Sequence, residues 1–429
     1  MTFPTASGHS AHPLAEHITV LTTLDPDEPL LDDLHPLRAI VEDARVVAIG
    51  EGAHFVHEFT LARARLLRYL LEHCGFTVVA FEMGSGDAAA VNPWLAGDGD
   101  EDDLLQVAGR HTVNLFGELL RRLRRYNRGR SRPVRIVGID LPNSLTLLPD
   151  LDPVAGYLRM VDEGITDMVA GLLRTAGAIT GGSAAASAPR WASLDQADQE
   201  SLTAGLARLS LRMRALEPLY VARSDQHGYD VARRHLEAAC HTDYMLRAMS
   251  ALFSGTGLPD DTSIRDHYMA TCLRWHLDRL DPGARVVVVA HNNHIQKTLV
   301  TYDGHPTALP MGHHLARGLG GHYRAVGLTH TADHVPDMVW PAEDSPVGFT
   351  IESDRLAAPP PGSLEKALVD AGLAADVTLT DLRSPDPEVT ALDAIRSQSA
   401  TMDTPVAQTF DAVLCTPTAT ADPTATFTS

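Results

Sequence analysis

Cysteine is scarce in this chain: four in 429 residues, Cys74, Cys240, Cys272 and Cys415, far apart and with no C-x-x-C pair. That spacing argues against a disulfide framework and against a thiolate zinc site. Basic residues are short as well. Thirty-five Lys and Arg face 55 Asp and Glu, a formal charge of −20. Nucleic acid and anionic membrane both need a basic footprint and are excluded as expected partners. Long apolar runs are missing too. The longest strongly apolar stretch, Val286–Ala290, falls far below the ~20 residues of a membrane span. Residues Met1–Pro13 carry neither the basic nor the apolar region of a secretory signal. A soluble, cytoplasmic protein is expected. Two catalytic signatures are also lacking, the G-x-S-x-G of α/β serine hydrolases and the H-E-x-x-H of zinc proteases.

What is present is a chain 44% hydrophobic, with a core to bury, and 21 histidines, the side chain suited to acid–base and metal chemistry near neutrality. Short apolar runs repeatedly end in a polar group. Val46–Gly50 leads to Glu51 and His54, Thr77–Phe81 to Glu82, and Arg135–Ile139 to Asp140. Val286–Ala290 leads to His291 and His294, and Arg324–Leu328 to Thr329 and His330. Continuous apolar runs of this length read as strands buried on both faces. Between the first two, Glu58 to His73 has helical spacing, with Phe59, Ala62, Leu66, Tyr69 and Leu70 on one side and a stop at Cys74-Gly75. Strand, helix, strand implies a parallel sheet, whose ligands bind beyond the carboxyl ends of the strands. That edge gathers Glu51, His54, Glu82, Asp140, His291 and His294.

From about Pro153 to Leu280 the chain turns Ala/Leu/Arg/Met-rich, with helical patterns at Leu202–Leu216 and Tyr229–Phe253 and a Gly/Ser/Ala patch, Gly181 to Pro189, read as a flexible loop. The fold class is therefore α/β: a mostly parallel central sheet flanked by helices, with a helical insertion forming a second lobe over the carboxyl-terminal strand edge. Residues 14–152 and 281–415 are expected to form the α/β lobe and 153–280 the helical lobe. Residues 1–13 and 416–429 are expected to be disordered tails.

At the first strand-to-helix turn the chain reads Gly50-Glu51-Gly52-Ala53-His54. A histidine there can take a proton from water, while a carboxylate, Glu51 or Glu82, fixes its tautomer and stabilises the imidazolium. This suits direct general-base hydrolysis without a covalent intermediate. In Ala290-His291-Asn292-Asn293-His294 two histidines at i and i+3 would, with Glu51 or Glu82, make a zinc-like set. The spacing arises easily in a histidine-rich chain, and polarising a carbonyl or donating to an oxyanion are the alternatives. No metal and no cofactor is expected. Gly84-Ser85-Gly86-Asp87-Ala88-Ala89 fits the dinucleotide pattern only weakly, since Glu82 and Asp87 would repel a pyrophosphate. Arg121-Arg122-Leu123-Arg124-Arg125 reads as a solvated helix face.

These motifs resemble the erythromycin esterases, most of all their type II branch. The resemblance rests on Gly50–Val56 with Glu58-Phe59 and Leu61–Ala64, on Val137–Asn143, Arg265–Ala270 and Ala290–Thr298, and on Pro310–Leu315, Asp344–Phe349 and Arg396–Ala400. It spans about residues 45 to 415. It implies hydrolysis of the lactone ester of 14- and 15-membered macrolides by an activated water, with no required metal, in a cleft between the two lobes. On it, His54 matches the general base and Glu51 and Glu82 the essential carboxylates. Arg63 and His291 match a functional arginine and histidine that steady the oxyanion, and His294, with Asn293, lies on the substrate side. Many members carry Thr or Ser where this chain has Ala53, so no hydroxyl acts there. Asp140 is left to a structural role. The expected partner is a small macrolide, with the chain a monomer or homodimer. Three other readings stand beside this one. The chain could be a metal-dependent hydrolase, a biosynthetic relative acting on another ester, or a non-catalytic macrolide binder.

Overall fold

The structure, a computed structural model, describes residues 13–258, 260–342 and 344–425. The expected N-terminal tail, apart from Pro13, and residues 426–429 lie outside the described residues. Eight strands form one sheet: β1 (Ile18–Val20), β2 (Val46–Ile49), β3 (Phe76–Gly84), β4 (Arg135–Asp140), β5 (Arg285–Val289), β6 (Tyr323–His330), β7 (Thr378–Asp381) and β8 (Ala412–Thr416). Their spatial order is β1-β7-β8-β6-β2-β5-β3-β4. The six strands from β8 to β4 run parallel, and β7 and β1 close one edge by antiparallel pairing.

Chain order changes side at β2. Strands β3, β4 and β5 lie to one side of it and β6 and β8 to the other, which makes the end of β2 the crevice where open α/β sheets bind ligands. Register sharpens this. Ile49 is level with Val289 and Val326, and Val289 with Phe81. Glu51, His291 and Glu82 therefore leave the sheet at nearly one height.

The strand interiors are buried on both faces, as their unbroken apolar runs require. Val46, Ala48, Val78, Ala80, Val286 and Val288 enter one core, and Val47, Ile49, Val79, Phe81, Val287 and Val289 the other. Helices α1 (His57–His73), α2 (Ser85–Ala96) and α3 (Leu104–Asn127) help close the second core through Phe59, Leu66, Tyr69, Val91, Trp94 and Leu120. The first is continuous with the helical stretch, which begins at α4 (Leu148–Val161) and includes α5 (Gln226–Phe253) and α6 (Ser263–Leu277). The break expected at Pro153 falls inside α4. No described helix is long and apolar enough to cross a membrane.

Three expectations change. The Gly181–Pro189 patch is not a loop throughout: Ala184–Ala192 is helical, because Ser183 caps it by accepting the Ala185 N–H at 3.0 Å and alanine favours helix. The arginine run is not simply solvated. Arg124 is buried over the Trp94 ring at 4.7 Å and bonds the Asp98 carbonyl, while Arg122 pairs with Asp27 and Glu118. Finally, residues 417–425 do not trail away. Thr418 and the Thr420 backbone bond the buried Glu58 carboxylate at 2.8 and 2.7 Å, Thr60 donates to Asp422, and the Asp422 N–H reaches the Phe55 carbonyl at 2.8 Å. This end of the chain clamps the start of α1.

Candidate active site

The turn after β2 is held by close packing. A Cβ on Gly50 would lie 1.9 Å from Asn292 Oδ1, and one on Gly52 would lie 2.6 Å from the Leu328 carbonyl. Asn292, fully buried, donates Nδ2 to the Leu328 carbonyl and its backbone N–H to the Glu51 carbonyl, tying the ends of β2, β5 and β6 together. Phe55 then takes φ +62, a strained value for an aromatic residue that persists only where surroundings impose it. The Asp422 N–H holds the Phe55 carbonyl.

His54 Nδ1 lies 2.7 Å from Glu51 Oε1. That bond leaves Nε2 without a protein partner among the described residues, and His54 lines a cavity. Behind Glu51 stands Arg63, 2% exposed, with Nη1 2.6 Å from Oε2 and its guanidinium over the Phe116 ring at 5.7 Å. Burial pushes Glu51 up, but Arg63, His54 and His291 outweigh it and hold the carboxyl below its ordinary range. The expected base and carboxylate are thus paired. Arg63, expected to steady an oxyanion, is buried behind Glu51 and is not among the residues that line the cavity.

Glu82 sits at the centre of a second network. One oxygen accepts the His291 backbone N–H at 2.7 Å, and the other meets Arg265 Nη2 at 2.8 Å and His294 Nε2 at 3.4 Å. His294 presents its other nitrogen to Asp266 at 2.8 Å, so both ring nitrogens face carboxylates. Burial alone would lower His294, yet Asp266 and Glu82 raise it to about 10, and it remains an imidazolium at neutral pH. Burial likewise opposes the Glu82 charge, but His294 and Arg265 hold that carboxyl well below its usual value. Arg265 is gripped in turn by Asp140, with Nε at 3.0 and 3.1 Å from the two carboxylate oxygens. Asp140 is thereby the anchor of a cation, not a group facing substrate.

His291 packs against His54 with ring centroids 4.8 Å apart. Its Nδ1 accepts the Asn293 N–H at 3.1 Å, which puts the proton on Nε2, 3.3 Å from Gln398 Oε1. Burial and the neighbouring His54 push it down to about 3, so it is neutral. Asn293 spends its amide on Tyr302 and Ser397. Neither His291, His294 nor Asn293 lines the cavity. His291, expected on the oxyanion, is buried, and His294 and Asn293, expected on the substrate side, are half-buried. Among the described residues no group of three or more His, Cys, Asp or Glu is arranged to hold a metal ion.

Sequence reasoning missed three partners. Arg265 and Asp266 stood in a quoted motif without a role. Gln398, at φ +53 in the turn joining strands Ala394–Ser397 and Ala400–Asp403, accepts the His54 backbone N–H at 2.9 Å and donates its own N–H to the Gly52 carbonyl. Only the resemblance carried any signal for it.

The cavity has a volume of about 240 Å3 and opens to solvent. His54, Glu82 and Arg265 form its polar floor, while Phe55, Leu115, Leu141, Met245, Met249 and Phe349 supply apolar wall. An open groove bordered by residues 344–346 and 348–350 shares Phe55, Ala185 and Phe349 with it. The site is an imidazole at the bottom of a mostly apolar bowl, beside a cation.

A family model described as erythromycin esterase matches residues 71–419. Erythromycin esterase type I of Escherichia coli is 36% identical over 92% of this chain and 96% of its own length. Type II from the same organism is 34% identical over 80% of this chain and 82% of its own. A solved structure of a histidine mutant of the erythromycin esterase EreC, in its open conformation, superposes with a TM-score of 0.90 at 35% identity, covering 95% of this chain and 99% of that one.

Proposed function

This chain belongs to the erythromycin esterase family and so among the ester hydrolases, and we propose that it opens the macrolactone ester of 14- and 15-membered macrolides, inactivating them as antibiotics. The observation that carries the mechanism is the His54–Glu51 pair, whose free nitrogen faces the cavity beside Glu82 and Arg265. A water held over this floor loses its proton to His54 Nε2 as its oxygen attacks the lactone carbonyl carbon. The carbonyl π electrons move onto oxygen, and the tetrahedral oxyanion forms beside Arg265. Glu51 stabilises the imidazolium, and Arg63 keeps Glu51 ionised. On collapse the ring C–O bond breaks, and the leaving alkoxide takes the proton back from His54. No step passes through a metal or a covalent enzyme intermediate.

Size and charge agree with such a substrate. The bowl continues into the open groove, leaving room for sugars outside it, and a surface at −20 does not repel a protonated amino sugar. Incubation with erythromycin is expected to yield a product heavier by one water, and His54→Ala to lower kcat by roughly a thousandfold while the protein stays folded. Binding without a mass change would select a sequestering protein instead. Turnover lost on chelation and restored by zinc would select a metal hydrolase.

A further inference from the structure

Two residues that line the cavity each carry a buried polar atom without a partner among the described residues. His111 Nδ1, on α3, and Asn143 Nδ2, just beyond β4, are shielded from solvent and have no hydrogen-bond partner among the described residues. Ser183 is engaged, donating to the Val347 carbonyl and accepting from Ala185, and so are Arg265 and Glu82, which bind one another. An unmade buried hydrogen bond costs about 1–3 kcal/mol. The backbone is also arranged for it. Gly109, at φ +74 and ψ 159, breaks the helical course of α3 two residues before His111, so the helix restarts with that ring at the cavity.

We propose that His111 is a further catalytic residue, a neutral donor whose N–H binds the tetrahedral oxyanion opposite Arg265, and that Asn143 binds a second substrate oxygen beside it. This deepens the esterase reading and rests on it. An oxyanion is best held by more than one preorganised donor. Arg63 and His291 do not line the cavity, and Arg265 has already committed Nε and Nη2 to Asp140 and Glu82. Burial, with the neighbouring His54 and Arg265, pushes His111 down to about 4, which keeps it neutral. It can therefore donate one N–H without competing with His54 for the proton of water.

The test compares His111→Phe, His111→Gln and Asn143→Ala with wild type, using erythromycin hydrolysis followed by mass spectrometry and thermal unfolding. His111→Phe should lower kcat about a hundredfold, with KM within about threefold and no loss of thermal stability. His111→Gln, which keeps an N–H donor, should recover most of that loss, and Asn143→Ala should raise KM while sparing kcat. A purely structural role would instead lower stability and give no recovery with Gln. Unchanged kcat in His111→Phe, or equal losses in the Phe and Gln variants, overturns the proposal while an active wild type leaves the esterase reading standing. A wild type that yields no hydrolysed product overturns that reading, and this one with it.

Discussion

Two histidine–carboxylate pairs in this molecule have almost the same geometry. His54 meets Glu51 at 2.7 Å at the end of β2, and His235 meets Asp150 at 2.8 Å between α5 and α4. Their surroundings differ. The Glu51 carboxylate has Arg63 on its other oxygen and stays below its ordinary pKa, despite burial. Among the described residues Asp150 has no cation behind it beyond His235. One of its oxygens is unpartnered among the described residues, and burial outweighs His235 and raises it. It also sits near Asp87, which burial and Asp150 together raise to about 6. His54 of the first pair lines the cavity, and neither member of the second pair is among its lining residues. A histidine beside a carboxylate is thus a common packing unit. What makes one a proton acceptor for substrate is a counter-cation that holds the carboxylate charged and a space on the far side of the ring.

The largest effect that can break this comparison is at the carboxylates themselves. Glu51→Gln should lower kcat by about 10²–10³-fold, because the imidazolium formed in the transition state loses its charge partner. Asp150→Asn should leave kcat within about threefold and cost about 1–3 kcal/mol of stability, as expected for a disturbed buried hydrogen bond. Steady-state hydrolysis and urea denaturation of both variants check this. If Asp150→Asn reduces kcat as much as Glu51→Gln, the two pairs are not functionally distinct.

A smaller effect is expected one step back. Arg63→Met keeps the volume and removes the cation behind Glu51. Since Arg63 favours the charged carboxylate, its removal raises the Glu51 pKa, and activity should be lost at higher pH on acidification than in wild type. At neutral pH kcat should fall about tenfold to a hundredfold with KM nearly constant. A changed KM with an unmoved acid limb would instead put Arg63 in contact with substrate.

How far the sequence reveals this architecture follows from the range of the interactions. The parallel sheet and its edge were legible because each central strand is a continuous apolar run ending in a polar group, a local pattern with one packing solution. Glu51, His54, Glu82 and the 290–294 segment could be collected there by topology alone. The differing fates of Arg63 and Arg265 could not. Both are helical arginines, and only the tertiary packing buries one behind Glu51 and leaves the other in the cavity wall. Asn292 and Asn293 are adjacent and identical, and the strand ends use the first. The Thr-rich terminal stretch looks disordered by composition, yet buried Glu58, a residue some 360 positions earlier, binds it. Gln398 earns its place by a backbone strain invisible to periodicity.

The mildest test separates His291 from His294 by the sign of their pH dependence. His291 is pushed down to about 3 from an ordinary value of 6.5. The unfolded chain therefore binds more protons there as pH drops below 6.5, and stability should fall with acidification. His294 runs the other way, raised to about 10. Its folded form holds the proton more tightly, so its contribution is fully present below 6.5 and is lost as pH rises through about 10. His294→Gln should then flatten the alkaline decline in melting temperature and leave the acid side nearly intact, whereas His291→Asn should relieve part of the acid side. These are shifts of slope, smaller than any effect on kcat above. An alkaline limb unchanged in His294→Gln would mean that the Glu82–His294–Asp266 network does not hold its proton, and that Glu82 relies on Arg265 alone.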